Sequence, residues 1–113
     1  MAAYIIVRVH IANPEAYQEY MKHTPRIIAD HGGKMIARGG TVETLEGPEE
    51  TKRLVIIEFP SMDVAKTFYH SEDYQKCKTL RQGAGEAQFF VVDGYATEEW
   101  QAALATSSAL SFY

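Results

Sequence analysis

The chain predicts an α+β fold, a ferredoxin-like β-α-β-β-α-β unit with a four-stranded antiparallel sheet. Three observations carry that expectation. Residues 3–11 alternate in the strand period, with Ile5, Val7, Val9 and Ile11 on one face and Tyr4, Ile6, Arg8 and His10 on the other. A capped stripe of apolar residues at helical spacing follows that strand. Between Lys52 and Gly83 the same order returns, with an apolar strand, a proline stop at Pro60 and a helical segment ending Leu80-Arg81-Gln82-Gly83.

Taken in order, Asn13-Pro14 reads as an N-cap followed by proline at the first helical position, with Glu15 placed for the helix dipole. Tyr17, Tyr20, Met21, Thr24, Ile27, Ile28 and His31 form the stripe. Pro25 interrupts it and is expected to kink the helix rather than break it, and Gly32-Gly33 ends it. A second strand is expected over 34–46, where Arg38-Gly39-Gly40 signals a bulge or a close backbone approach. After the turn Glu46-Gly47-Pro48 and a polar loop, the third strand covers 53–59. Ser61 caps a helix over 62–70, and Ser71 starts a further helical stretch with Tyr74, Cys77 and Leu80 pointing inward. Gly83-Ala84-Gly85 breaks that stretch before a fourth strand at 87–93. Residues 1–95 thus make one domain and 96–113 an appended tail: a capped helix start around Trp100, then residues 107–113 partly disordered or lying on a neighbouring subunit.

Composition narrows the function classes. With 113 residues there is room for a single core, and 46% hydrophobic with 23% charged residues is ordinary for a globular chain. A net charge of −4 and scattered basic residues leave no footprint for nucleic acid. No apolar run approaches the roughly 20 residues of a membrane span. The start of the chain lacks the pattern of a secretory signal, and Cys77 is the single cysteine, so a cytoplasmic protein without internal disulfides is expected. The four histidines show no tight ligand spacing, and no metal site is expected.

The alternation also sets the expected assembly. Ile5, Val7, Val9, Val55, Ile57 and Phe59 form the purely apolar face that the helices cover. The open face holds Tyr4, Ile6, Leu54 and Ile56 together with Arg8, His10 and Glu58, too apolar to stay wet as one patch. Two such sheets facing each other would make a homodimer around a barrel-like interior.

The residues Tyr17-x-x-Tyr20, Gly32-Gly33, Arg38-Gly39-Gly40, Glu46-Gly47, Lys52 to Ser61, Phe68-Tyr69-x-Ser71-x-x-Tyr74 and Leu80-Arg81 together resemble the domain-of-unknown-function family 1330, over about residues 3–95. The resemblance implies membership of the dimeric α/β-barrel superfamily, with a ferredoxin-like fold and a sheet-to-sheet dimer. Across that superfamily it implies cofactor-free monooxygenases, lactone isomerases, small dehydratases and cyclases, and haem-dependent enzymes. The family itself has no agreed reaction.

Glu58 is the first catalytic candidate, because a carboxylate inside the most apolar stretch of a strand is costly unless it is paired or functional. It would act as general base or acid, or else form a structural ion pair. Arg38, beside Gly39 and Gly40, would present its guanidinium and nearby backbone N–H groups to a carboxylate or enolate, or else sit at a bulge paired with Glu43 or Glu58. Arg8 and His10, two apart on the open face, would reach one ligand, or His10 would lie on a solvent-exposed rim. Ser71 with Tyr74 offers a helix N-terminus to an anion, or simply a cap and a packed ring. The expected function is a small cofactor-free enzyme acting on a hydrophobic, aromatic or enolisable molecule. The alternative is a non-catalytic small-molecule-binding or structural dimer module.

Overall fold

Asn13 turns the chain out of the first strand: its Oδ1 accepts from the Ala16 N–H at 3.2 Å, and Pro14 opens the helix that follows. The computed structural model, which describes residues 1–110, runs β1 (Ala3–Ile11), α1 (Pro14–Asp30), β2 (Lys34–Arg38), β3 (Arg53–Phe59), α2 (Met62–His70), α3 (Glu72–Lys78), a 3-10 turn over Thr79–Arg81, β4 (Gly85–Asp93) and α4 (Thr97–Thr106). The sheet order is β2-β3-β1-β4, antiparallel throughout, which is the ferredoxin-like arrangement. β1 and β3 are central neighbours, with Tyr4 opposite Glu58 and Ile6 opposite Ile56.

All three helices α1 to α3 lie on one face. The side chains that meet them, Ile5, Val7, Val9, Val55, Ile57 and Phe59, are each at most 7% exposed. Tyr17, Tyr20 and Ile28 from α1 and Phe68 and Tyr74 from α2 and α3 complete the core. Each of these large side chains contributes about 1.5–3 kcal/mol by leaving water.

Helix α1 continues through Pro25 to Asp30, and His31 Nδ1 lies 2.8 Å from the Ile27 carbonyl beyond its end. Proline has no N–H, so the carbonyl four residues earlier, that of Met21, has no backbone donor in the helix and only a long bond, 3.5 Å, from the Thr24 hydroxyl. Arg38 supplies a closer donor: its Nη2 donates to the Met21 oxygen at 2.8 Å.

Two expectations are corrected. The second strand stops at Arg38 rather than near residue 46, because Gly39 turns into the left-handed region at φ +67° and its bare Cα lies against the Arg53 side chain. The irregular pairing lies earlier, between Met35 and Ala37. Leu80 does not point inward: it is 40% exposed. The half-buried Arg81, at i+7 from Tyr74, continues the stripe of Tyr74 and Cys77 instead, and Leu80 falls beside it.

No residue of α4 is buried, and Tyr95, Trp100 and Leu104 are exposed. The radius of gyration, 17.4 Å, exceeds the about 13 Å of a compact chain of this length because this arm projects. Residues 107–110 are exposed coil; the rest of the expected tail lies outside the described residues.

Candidate functional site

The sheet separates the candidate residues into two groups. Strand alternation puts Glu58, Arg8 and His10 on the open face, and Arg38, Ser71 and Tyr74 on the helix side. Glu58 and Arg38 therefore do not meet.

On the open face, Glu58 is half-buried, with Tyr4 opposite it on β1 and Lys34 opposite it on β2. Arg8 is already engaged. Its Nε and Nη2 donate to the two Glu50 carboxylate oxygens at 3.0 Å each, and its Nη1 donates to Gln88 Oε1 at 3.3 Å. Glu50 in turn accepts from the Lys52 backbone N–H, which together with Arg8 holds its carboxyl below the usual range. That fork pins the loop 39–52 to the sheet. His10 is exposed, beside Glu86 of β4. Around these polar groups Ile6, Leu54 and Ile56 are half-buried, while Phe90 and Val92 are 42% and 47% exposed.

On the helix side, Ser71 is a cap. Its Oγ accepts from the Tyr74 N–H at 3.2 Å and donates to the Phe68 carbonyl at 2.7 Å. Arg38 is bound to Met21, Gly39 abuts Arg53, and nothing stands within 4 Å of where a Gly40 Cβ would be. Tyr74 has a second role. Its hydroxyl lies 2.7 Å from that of Tyr20, and this buried pair faces the Arg81 guanidinium, which stacks over the Tyr20 ring at 5.4 Å and the Phe89 ring at 5.1 Å. Arg81 Nε is buried and has no hydrogen-bond partner among the described residues.

Burial, and then the neighbouring Tyr74, pushes the Tyr20 hydroxyl far above the tyrosine range. Burial also raises Tyr74, but Tyr20 and Arg81 hold it down, so Tyr74 is the more acidic of the two. Burial works against the Arg81 charge, yet the Tyr74 and Tyr20 hydroxyls outweigh it and its pKa rises. The Cys77 thiol, pushed up by burial, is kept unreactive at neutral pH.

Two spaces adjoin this cluster. A cavity of about 30 Å³, lined by Tyr17, Tyr20, Tyr74, Thr24, Arg38 and Arg53 among others, is the size of roughly one or two waters. A groove of about 430 Å³ opens between α2, α3 and β4, with Tyr69, Phe89 and Ala87 as its walls and Lys66, His70, Lys78 and Arg81 at its rim. Among the described residues no three His, Cys, Asp or Glu side chains gather as a metal-binding group.

Sequence reasoning missed Arg81 and Tyr20 as site residues. The signal was present: Tyr74, Cys77 and Arg81 stand at i, i+3 and i+7 on one helical stripe, and an arginine on an apolar stripe asks what it faces.

A family model described as "Domain of unknown function (DUF1330)" matches residues 2–95. Among curated proteins none matches the chain. Among solved structures, the chain is similar to a protein of unknown function from Rhodopseudomonas palustris, with 20% identity and a TM-score of 0.67, covering 84% of this chain and 83% of that one. It is similar to SnoaB, a cofactor-independent oxygenase from Streptomyces nogalater, at 11% identity and TM-score 0.58, covering 85% and 95% of the two chains. A dimeric protein of unknown function with a ferredoxin-like fold from Bacteroides fragilis matches at 13% identity and TM-score 0.51, covering 82% and 96%. At these identities the likeness is one of fold.

Proposed function

The chain belongs to the DUF1330 family, and from the chemistry of its own helix-sheet layer we propose that it is a small cofactor-free enzyme acting on a hydrophobic, aromatic or enolisable molecule. The observation that carries this reading is the buried Tyr20–Tyr74 hydroxyl pair facing a half-buried arginine beside an open groove. Two neutral phenols and a guanidinium in low dielectric favour the anionic form of a bound enol or phenol, since each stabilises a developing oxyanion. The fold likeness to a cofactor-independent oxygenase supports the class of chemistry.

The working form in this proposal is a cytoplasmic homodimer. The open face, with Ile6, Ile56, Phe90 and Val92, is the apolar surface that a second sheet would cover. A second reading places the chemistry there, with Glu58 as general base or acid between two sheets. Its motive is a half-buried carboxylate between Tyr4 and Lys34 on a face that also carries Ile6, Ile56, Phe90 and Val92.

One measurement separates the readings: exchange of α-protons of 2-tetralone into D2O, followed by proton NMR. Acceleration that drops at least about ten-fold in Tyr74→Phe and Arg81→Met supports the cleft. Acceleration lost in Glu58→Gln but kept in Tyr74→Phe moves the chemistry to the open face. No acceleration of any enolisable ketone or naphthol tested would leave a binding module instead of an enzyme.

A further inference from the structure

The groove between α2, α3 and β4 carries an unusual imbalance of charge. Lys66, Lys78 and Arg81 line it, His70 stands beside them, and no carboxylate is among its lining residues. Among the described residues none of those three cations forms a salt bridge; the ion pairs present are Arg8–Glu50, Lys22–Glu19, His23–Glu19 and Lys76–Glu72. Lys78 Nζ instead donates to the Tyr69 hydroxyl at 3.0 Å and lies 5.3 Å from that ring's centre. Between the cations stand two aromatic rings, Tyr69 and Phe89, with centres 5.6 Å apart and planes tilted by 56°. Arg81 Nε is a buried donor without an acceptor.

A guanidinium with a free Nε–H is the donor set that a carboxylate engages side-on, one oxygen on Nε and the other on a terminal nitrogen. Leaving that donor unmade is costly, and a ligand that supplies the acceptor removes the cost. The aromatic walls add planar apolar surface a few ångströms from the same charge. A volume of about 430 Å³ suits a molecule of one or two rings.

We propose that this groove is a binding site for a planar aromatic carboxylate, its carboxylate held by Arg81 with Lys78 and Lys66 at the rim, and its ring laid against Phe89 and Tyr69. This rests on the reading of the helix-sheet layer as a small-molecule site and names the substrate class of that site. The carboxylate anchors on the cations and the ring stays in the groove; the Tyr20–Tyr74 hydroxyls stand behind Arg81 and line the small cavity instead.

The test is equilibrium binding to the full chain, with 2-naphthoate as the probe, followed by amide NMR shifts and calorimetry. Neutral 2-naphthylmethanol and the non-planar cyclohexanecarboxylate serve as comparisons. The expected result is saturable binding of 2-naphthoate with shifts confined to residues 66–81 and 85–91, and both comparison molecules at least about ten-fold weaker. Arg81→Gln should weaken 2-naphthoate by at least about ten-fold and Lys78→Gln by several-fold. Lys22→Gln, which removes a charge from the exposed side of α1, should leave it unchanged. Lys78 is the safeguard if Arg81→Gln does not fold. Equal binding of the neutral alcohol, shifts mapping to the open sheet face, or no saturable binding would overturn the proposal. Binding without proton exchange of any enolisable probe would instead keep the site and remove the enzymatic reading.

Discussion

Arg38 and Pro25 should behave as one device, which a double-mutant cycle can measure. Pro25 sits inside α1 and leaves the Met21 carbonyl without its N–H donor, and Arg38 donates to that oxygen at 2.8 Å from the neighbouring strand. A hydrogen bond from a charged group is worth about 1.5–3 kcal/mol when its partner is shielded. Arg38 is exposed, so a value below that range, about 1 kcal/mol, is expected for Arg38→Leu. In a Pro25→Ala background the helix provides its own donor to Met21, and the same Arg38→Leu change should cost less than about 0.5 kcal/mol. Urea unfolding of the four proteins at one chain concentration, compared through midpoints at constant slope, gives the coupling directly. Additivity within about 0.3 kcal/mol would refute the device and return Arg38 to the list of free guanidinia available to a ligand. Coupling of about 0.5 kcal/mol or more, with proton exchange unaffected by Arg38→Leu, assigns it to the scaffold.

Three further outcomes are expected. Stability should fall as pH rises through about 10, because Tyr17, Tyr20 and Tyr74 all have folded-state values above the unfolded one. The unfolded chain then releases protons that the folded chain keeps, and Tyr20→Phe/Tyr74→Phe should flatten the alkaline limb of a urea-midpoint profile; an unchanged limb counts against buried neutral hydroxyls. Phe90→Glu, on the open face opposite Ile6, should shift the chain toward monomer in sedimentation at micromolar concentration without loss of helical circular dichroism, whereas an unshifted dimer would place the interface elsewhere. Gly33→Ala would bring a methyl to 2.5 Å from Phe59 Cε1 and 3.0 Å from Ile28 Cγ2 in the core, so a loss of about 1–3 kcal/mol is expected in thermal or urea unfolding. A neutral result there would mean that the ring has room to turn.

The fold was legible because its signals are local and repeated. Alternation in β1 and β3 assigned Ile5, Val7, Val9, Val55, Ile57 and Phe59 to the buried face, since a one-residue slip would expose the whole set. The caps at Asn13, Ser61 and Ser71 likewise announced themselves. What was missed depended on phase and on distant partners. At Thr79–Arg81 the apolar character of Leu80 suggested the inner stripe, whereas the i, i+3, i+7 phase from Tyr74 through Cys77 puts Arg81 there. The attachment of Arg8 to Glu50 crosses 42 positions, and that of Arg38 to Met21 depends on a proline read only as a kink. An arginine beside two glycines looked free, but both the arginine and Gly39 were meeting structural demands.

Placing the cations on their faces leaves a sharper division of labour than the residue types alone. Arg8 is spent on Glu50 and Arg38 on Met21, while Arg53 packs against Gly39. Of the cations that form no salt bridge among the described residues, Lys66, Lys78 and Arg81 share one groove. Arginine stacks between aromatic rings in many cores, but a buried Nε–H without an acceptor gains nothing from that packing. The Tyr20–Tyr74 pair reinforces the point, because two hydroxyls that hydrogen-bond each other in an apolar layer cost more to bury than two phenylalanines of the same shape. An unpaired donor at the groove and a hydroxyl pair at the small cavity behind it both point to a ligand with oxygen atoms on the helix side. Glu58, on the other side of the sheet, has no path to that ligand, and a role for it requires a second sheet across the open face.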